Sequence, residues 1–296
     1  MLTRRRFIAI SAALAPSMAL ANTGPHIETG TALGAAVTLR LDHPDAPRLA
    51  TLAMAEIRRL EAVFSIYQPD SAISRLNRAA RLDAPPFELL DCLSIAGAVH
   101  HASGGRFDPT VQPLWAAHAM AVERGQPLTR AERDEALSRT GWQHVTLSPE
   151  AITLRPGAAL TLNGIAQGYI ADRVAALMAS HGLTRALIDT GEMVAMPEGN
   201  WPVRLPDREI ALQNRALATS SPLGMTFGGD GQTSHILDPI TGIPAALRWQ
   251  AITISAPRAA LADALSTAAC LIDKEEQITA LCDAFPGATL ETAIPL

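Results

Sequence analysis

Cysteine is scarce in this sequence, and its three positions, Cys92, Cys270 and Cys282, exclude two kinds of scaffold. An odd count gives no disulfide framework, and the absence of any Cys-x-x-Cys pair removes the usual zinc signature. A single Cys270–Cys282 bridge in an oxidising compartment and burial as free thiols both stay open. Lysine is scarcer still: Lys274 is the one lysine, and the formal net charge is −5. An acidic chain is a poor match to nucleic acid, which is excluded as a partner. No apolar run beyond the N-terminal one approaches the length of a bilayer span, so an integral membrane protein is not expected. The glycine-rich G-x-G-x-x-G turn after a strand and the Walker A loop are both missing, which removes two common nucleotide cradles. Internal repeats, low-complexity tracts and a convincing linker are absent too.

What is present starts at the N-terminus. Arg4, Arg5, Arg6 and Phe7 precede a short apolar stretch from Ile8 to Leu20, and Ala19-Leu20-Ala21 is a small-residue cleavage signal. A basic head, a short apolar run and a cut site read as a secretory signal over residues 1–21. The arginine pair before Phe7 points to the twin-arginine (Tat) route, which exports folded cargo to the periplasm. No cysteine near Ala21 offers a lipid anchor. Cleavage removes three arginines and no acid, moving the formal charge from −5 to −8. About 275 residues remain, enough for one large domain over 22–296.

Hydrophobic periodicity places helices at 45–66, 86–103, 130–139, 166–181 and 259–272. Thr129 with Glu132 three residues on forms a capping box, and Gly104-Gly105 and Gly182 mark helix ends. Strands are expected at 36–42, 143–148, 151–155, 158–162, 185–189, 202–205, 208–213, 215–219 and 249–255. Strands and helices mix without a βαβ rhythm, which favours an α+β fold over a doubly wound sheet.

Four segments are too polar and too rich in glycine for plain core. In Ser65–Asn77, Pro69-Asp70-Ser71 is a turn able to cap a short helix, with Tyr67 just before it. Tyr67 reads either as a packed loop residue or as a platform for a flat ring. In Ser103–Val111 the glycines either end a helix or bring backbone N–H groups to a ligand. In Thr161–Asp172 a strand ends and a helix opens, so the segment is an ordinary turn or a pyrophosphate site on free N–H groups. The fourth segment is split. Gly231–Gly242 carries a lone histidine, His235, usually a structural residue. Asp263 and Thr267, four residues apart, share a helix face and offer the oxygen donors that hard cations prefer. Alone, Asp263 reads equally as a helix cap.

In this order the segments resemble the ApbE family, the FAD:protein FMN transferases, from about Ile66 to Ala269. The resemblance rests on Tyr67-x-x-Asp70-Ser71, Gly105-x-Phe107-Asp108, Asn163-Gly164-Ile165-Ala166-x-Gly168-Tyr169, His235-x-Leu237-Asp238-Pro239-x-Thr241-Gly242 and Ala262-Asp263-Ala264-x-x-Thr267. The only two tyrosines, Tyr67 and Tyr169, fall inside these motifs.

The resemblance implies a single α+β domain related to tunnelling-fold proteins, with FAD in an extended cleft and Mg²⁺ at its pyrophosphate. Tyr67 would stack on a flavin or adenine ring. Thr29, Arg106, Phe107, Asp108, Thr161, Gln167 and Ile236 would border FAD. Asp263 and Thr267 would hold the metal through side-chain oxygens and Gly164 through its carbonyl, with His235 as the base. The implied reaction moves FMN from FAD to a threonine or serine of a periplasmic protein and releases AMP. Hydrolysis of FAD to FMN and AMP, and flavin carriage without chemistry, are the alternatives. The Tat-exported, NosX-like branch of the family serves a NosR-type membrane respiratory flavoprotein, so the expected partner is the periplasmic FMN-accepting domain of such a protein. Three departures stand out. Gln167 replaces the family's usual lysine and predicts weaker FAD binding. Thr190-Gly191-Glu192 stands for Gly-Gly-Asp, and Thr29-Gly30-Thr31 for Met-Gly-Thr.

Overall fold

The computed structural model describes residues 24–228 and 231–296. The predicted leader over residues 1–21 lies outside the described residues. In chain order the first elements are β1 (His26–Ala32), β2 (Ala35–Leu41), α1 (Ala46–Phe64), α2 (Ala72–Ala79), β3 (Arg81–Asp83) and α3 (Phe87–Ala102). Next come α4 (Gln112–Glu123), α5 (Arg130–Ser138), β4 (Val145–Leu147), β5 (Ala151–Leu154), α6 (Ala166–Ser180), β6 (Ala186–Asp189) and β7 (Met193–Ala195). The remainder is β8 (Trp201–Arg204), β9 (Glu209–Leu212), β10 (Arg215–Ser220), β11 (Thr226–Phe227), β12 (Thr233–Ser234), β13 (Trp249–Ala256), α7 (Ala259–Ala269), α8 (Glu275–Asp283) and β14 (Thr289–Pro295).

Seven strands form the main sheet in the order β1-β2-β6-β7-β10-β13-β14. Every neighbouring pair in it is antiparallel. This is the α+β arrangement that the missing βαβ rhythm predicts. Helix α1 shows why its sequence is helical. Leu49, Ala53, Ile57, Leu60 and Phe64 recur at three- and four-residue spacing and are buried, while the opposite face is polar. Each such leucine or isoleucine stabilises the fold by roughly 1.5–3 kcal/mol. Phe64 meets Tyr169 of α6 edge to face, with ring centroids 5.3 Å apart. The α1, α6 and α7 helices share one continuous core with β2, β6 and β13.

Local signals behave as read. Ser71 caps α2 by accepting from Ser74 N at 3.1 Å. Thr129 and Glu132 form the capping box of α5. All three cysteines are free and buried, so the open question of a Cys270–Cys282 bridge resolves to free thiols. One expected strand is absent. Residues 158–162 are extended, but their backbone bonds go elsewhere: Leu160 exchanges two hydrogen bonds with the Asn77 side chain, and Thr161 N donates to Pro109 O. Among the described residues no helix is long and apolar enough to cross a membrane.

Candidate active site

A cleft of about 990 Å³ opens between the α6–α7 pair, the ends of β7 and β10, and the loops around residues 106–109 and 235–239. It is lined by ten of the residues singled out from sequence: Arg106, Phe107, Asp108, Thr161, Gly164, Gln167, His235, Ile236, Asp263 and Thr267. The structure therefore gathers segments that are more than 150 residues apart in the chain.

Asp263 and Thr267 sit one turn apart on α7, a helix with nine of its eleven residues buried. Asp263 is 3 % exposed. Its Oδ2 accepts from Gly168 N at 3.2 Å, and no cationic side chain pairs with it among the described residues. Burial pushes its carboxyl up to about 7. Thr267 faces Gly164 so closely that a methyl group in place of a Gly164 hydrogen would lie 2.9 Å from Thr267 Oγ1. Ser220 Oγ, at the end of β10, is 3.4 Å from the same hydroxyl. One buried carboxylate without a counter-charge, beside a hydroxyl and an unblocked glycine backbone, fits a hard divalent cation. No group of three or more His, Cys, Asp or Glu side chains converges to hold a metal among the described residues. A cation here would depend on backbone and hydroxyl oxygens as well as Asp263.

The start of α6 bears on the two readings its sequence leaves open. Ala166 N is taken by Leu162 O at 2.8 Å and Gly168 N by Asp263. Two of the three first-turn N–H groups that a pyrophosphate site would need free are thus occupied. The helix end holds the carboxylate instead.

His235 lines the same cleft from the loop after β12. Its Nδ1 lies 2.7 Å from Met225 O, which sets that nitrogen as the N–H donor and leaves Nε2 with a lone pair. Burial lowers its pKa, outweighing the backbone carbonyls of Met225 and Pro222. The ring is therefore a neutral base near pH 7.

Arg106 and Asp108 serve the loop that carries them. Arg106 Nε donates to Leu271 O at 3.2 Å and Nη1 to Ser103 O at 3.3 Å, so the guanidinium ties the loop to the end of α7. Asp108 accepts from Thr110 N and Thr110 Oγ1 at 2.8 and 2.6 Å, and His100 approaches its other oxygen at 3.6 Å. The positive φ of Gly104 (62°) and Gly105 (84°) lets α3 end and the chain turn into this loop.

Two predicted residues are not in the cleft lining. Thr29 lies on the exposed face of edge strand β1, paired with Thr38. Tyr67 is 53 % exposed beside the cleft, hydrogen-bonded to the side chain of the lining residue Asn163. Gln167 and the Thr190-Gly191-Glu192 segment prove to be neighbours. Thr190 Oγ1 donates to Gln167 O at 2.8 Å, and a methyl group on Gly191 would lie 2.9 Å from Gln167 Nε2. Two departures from the family pattern thus form one surface.

Sequence reasoning noted Glu192 only as a departure; the structure makes it a buried cleft residue. Its Oε2 accepts from Thr219 N at 3.2 Å, and burial, reinforced by the charge of Asp263, raises its pKa well above the usual range. Trp115 was missed because α4 has no clear apolar stripe. It lines the cleft and packs on Phe227 at 5.3 Å.

A model of the ApbE family matches residues 33–289. A curated FAD:protein FMN transferase of Treponema pallidum is 29 % identical over 265 residues, covering 78 % of this chain and 73 % of that protein. The one from Salmonella typhimurium is 29 % identical over 281 residues, covering 86 % and 80 %. Among solved structures, the ApbE protein of Thermotoga maritima superposes with a TM-score of 0.78 at 26 % identity, covering 86 % of this chain and 90 % of that one. The apo flavinyl transferase ApbE of Pseudomonas stutzeri gives a TM-score of 0.76 at 24 % identity, covering 94 % and 97 %, a likeness of fold. With four of the five motifs brought to one cleft and the family pattern running through nearly the whole described chain, this protein belongs to the ApbE family.

Proposed function

We propose that this chain is an FAD:protein FMN transferase that works with Mg²⁺. It would attach FMN to a threonine or serine of an exported flavoprotein domain and release AMP. The observation that carries the reading is the presence, in one cleft lining, of an uncompensated carboxylate at Asp263 and a neutral histidine at His235. The names of the curated relatives agree with it.

In the proposed reaction the acceptor hydroxyl oxygen attacks the phosphorus of the FMN half. The bond from that phosphorus to the bridging oxygen breaks, and AMP leaves with the electron pair. Asp263, Thr267 and the Gly164 carbonyl would hold Mg²⁺, which when bound neutralises pyrophosphate charge and stabilises AMP as it departs. His235 Nε2 takes the hydroxyl proton, worth typically ~10²–10⁴-fold in rate. The Met225 carbonyl keeps the ring in the tautomer that can do so. Phe107, Trp115 and Ile236 give the cleft apolar walls for the flavin and exclude water from the attack.

The Tat-type leader, with its cut after Ala21, supports a periplasmic enzyme. Its acceptor would be the periplasmic domain of a membrane respiratory flavoprotein, of the NosR type. The test mixes mature protein, FAD, Mg²⁺ and that acceptor domain, then reads flavin fluorescence in a denaturing gel. A fluorescent acceptor band lost with EDTA supports the reading. AMP and free FMN without a band mark a pyrophosphatase, and neither product marks a carrier.

A further inference from the structure

Helices α6 and α7 cap each other. The first N–H groups of any helix lack partners within it. The N-cap residues here, Ile165 for α6 and Arg258 for α7, supply no side-chain cap. The partners come from the other helix. Asp172, in the second turn of α6, accepts from Ala259 N at 2.7 Å and Ala260 N at 3.0 Å. Asp263, in the second turn of α7, accepts from Gly168 N at 3.2 Å. Gly168 makes the exchange possible, because a side chain there would collide with the Ala259 carbonyl.

The two carboxylates are not equivalent. Asp172 spends both oxygens on α7 and does not line the cleft. It also has a cation beside it: Arg258 Nε lies 3.6 Å from Oδ2. Arg258 Nη2 binds Asp91 at 3.1 Å, and Asp91 accepts from Tyr169 OH at 3.0 Å. Asp263 lines the cleft and lacks such a cation among the described residues.

We propose that Asp172 is a positioning residue for the cation site. Gripping two successive amides fixes both the depth and the rotation of α7. Asp263 lies one turn, about 5.4 Å, further along the same helix, so its carboxylate inherits that placement against Gly164 and Thr267. Arg258 holds the grip by tying Asp172 to Asp91. Supporting groups of this kind commonly change metal affinity by ~10–100-fold when lost. The inference rests on the reading that Asp263, Thr267 and Gly164 bind Mg²⁺.

The test titrates Mg²⁺ into FAD-saturated full-length mature protein by calorimetry, with melting curves alongside. Asp172→Asn leaves one oxygen for one of the two amides and is expected to raise the Mg²⁺ dissociation constant about 10-fold. Arg258→Gln spares both caps and is expected to raise it by a smaller factor, about threefold; it carries the test if Asp172→Asn does not fold. A role confined to stability would lower the melting temperature and leave the Mg²⁺ dissociation constant of the folded protein unchanged. That result overturns the proposal while sparing the metal reading. A wild-type protein that takes up no Mg²⁺ overturns both.

Discussion

The two walls of the cleft are built differently. The α6–α7 wall is alanine-rich and almost wholly buried, its helices meeting backbone to backbone at Gly168. The wall that carries His235 joins α4 and α5 to β11 and β12, strands of two residues each. Its core is four buried side chains, Leu114, Ala136, Phe227 and Leu237, and its rim leaves Ile240 and Ile243 exposed. The rim turn is held by one local bond and one from α4 instead: Asp238 Oδ1 accepts from Ile240 N at 2.8 Å, and His118 Nε2 lies 3.0 Å from Gly242 O. A buried carboxylate needs the rigid wall, because an ill-placed charge in a low-dielectric site is costly. The proposed base at His235, which would meet a large acceptor, can stand on the lighter wall.

Four substitutions test this division, the first expected to act most strongly. Asp263→Ala should lower transfer by about 10⁴-fold, the scale of several kcal/mol of lost charge stabilisation. It should remove Mg²⁺ binding in calorimetry and leave the melting temperature equal or higher, since a buried uncompensated acid is gone. His235→Gln should lower kcat about 10³-fold with Mg²⁺ binding intact, which separates the walls by function. The wild-type rate profile should carry an acid limb centred below pH 6.5, because burial lowers the histidine pKa from that value, and His235→Gln should flatten it. The sign for stability agrees: the folded state binds fewer protons here, so His235 costs stability as pH falls below 6.5 through the lowered folded value. Gly168→Ala should destabilise the fold by about 2 kcal/mol in denaturant melts, as overpacking against the Ala259 carbonyl does. Gln167→Lys is the smallest effect, tightening FAD binding about threefold in a fluorescence titration, the scale of one partly screened charge.

The rigid wall was the more legible one. The helices α1, α3, α6 and α7 announce themselves through apolar spacing and glycine stops, and α7 carries Asp263 and Thr267 on one face; in the lighter wall α5 is announced by its capping box. The lighter wall was harder to read. Helix α4 opens at Gln112-Pro113 and runs through Ala116, Ala117, Ala119 and Ala121, with no stripe distinct enough to mark it. Strand β1, at the sheet edge, mixes Gly30 with threonines, and α8 and β14 near the end of the chain were not read at all. The expected strand at 158–162 failed because Asn77 takes the bonds a neighbouring strand would need, a choice set by tertiary structure. Of the two readings open at the start of α6, the one with free N–H groups is weakened because Leu162 O takes Ala166 N and Asp263, ninety-five residues on, takes Gly168 N. Glu192 was legible as an acid but not as a cleft residue, since its burial depends on β7 and β10 meeting.

The most direct measurement counts AMP and covalently bound FMN in one reaction of FAD, Mg²⁺ and acceptor domain, for the wild type and for Asp263→Ala. Equal amounts of the two products are expected from the wild type and neither from the variant. AMP without bound FMN, or bound FMN persisting in Asp263→Ala, would contradict that expectation.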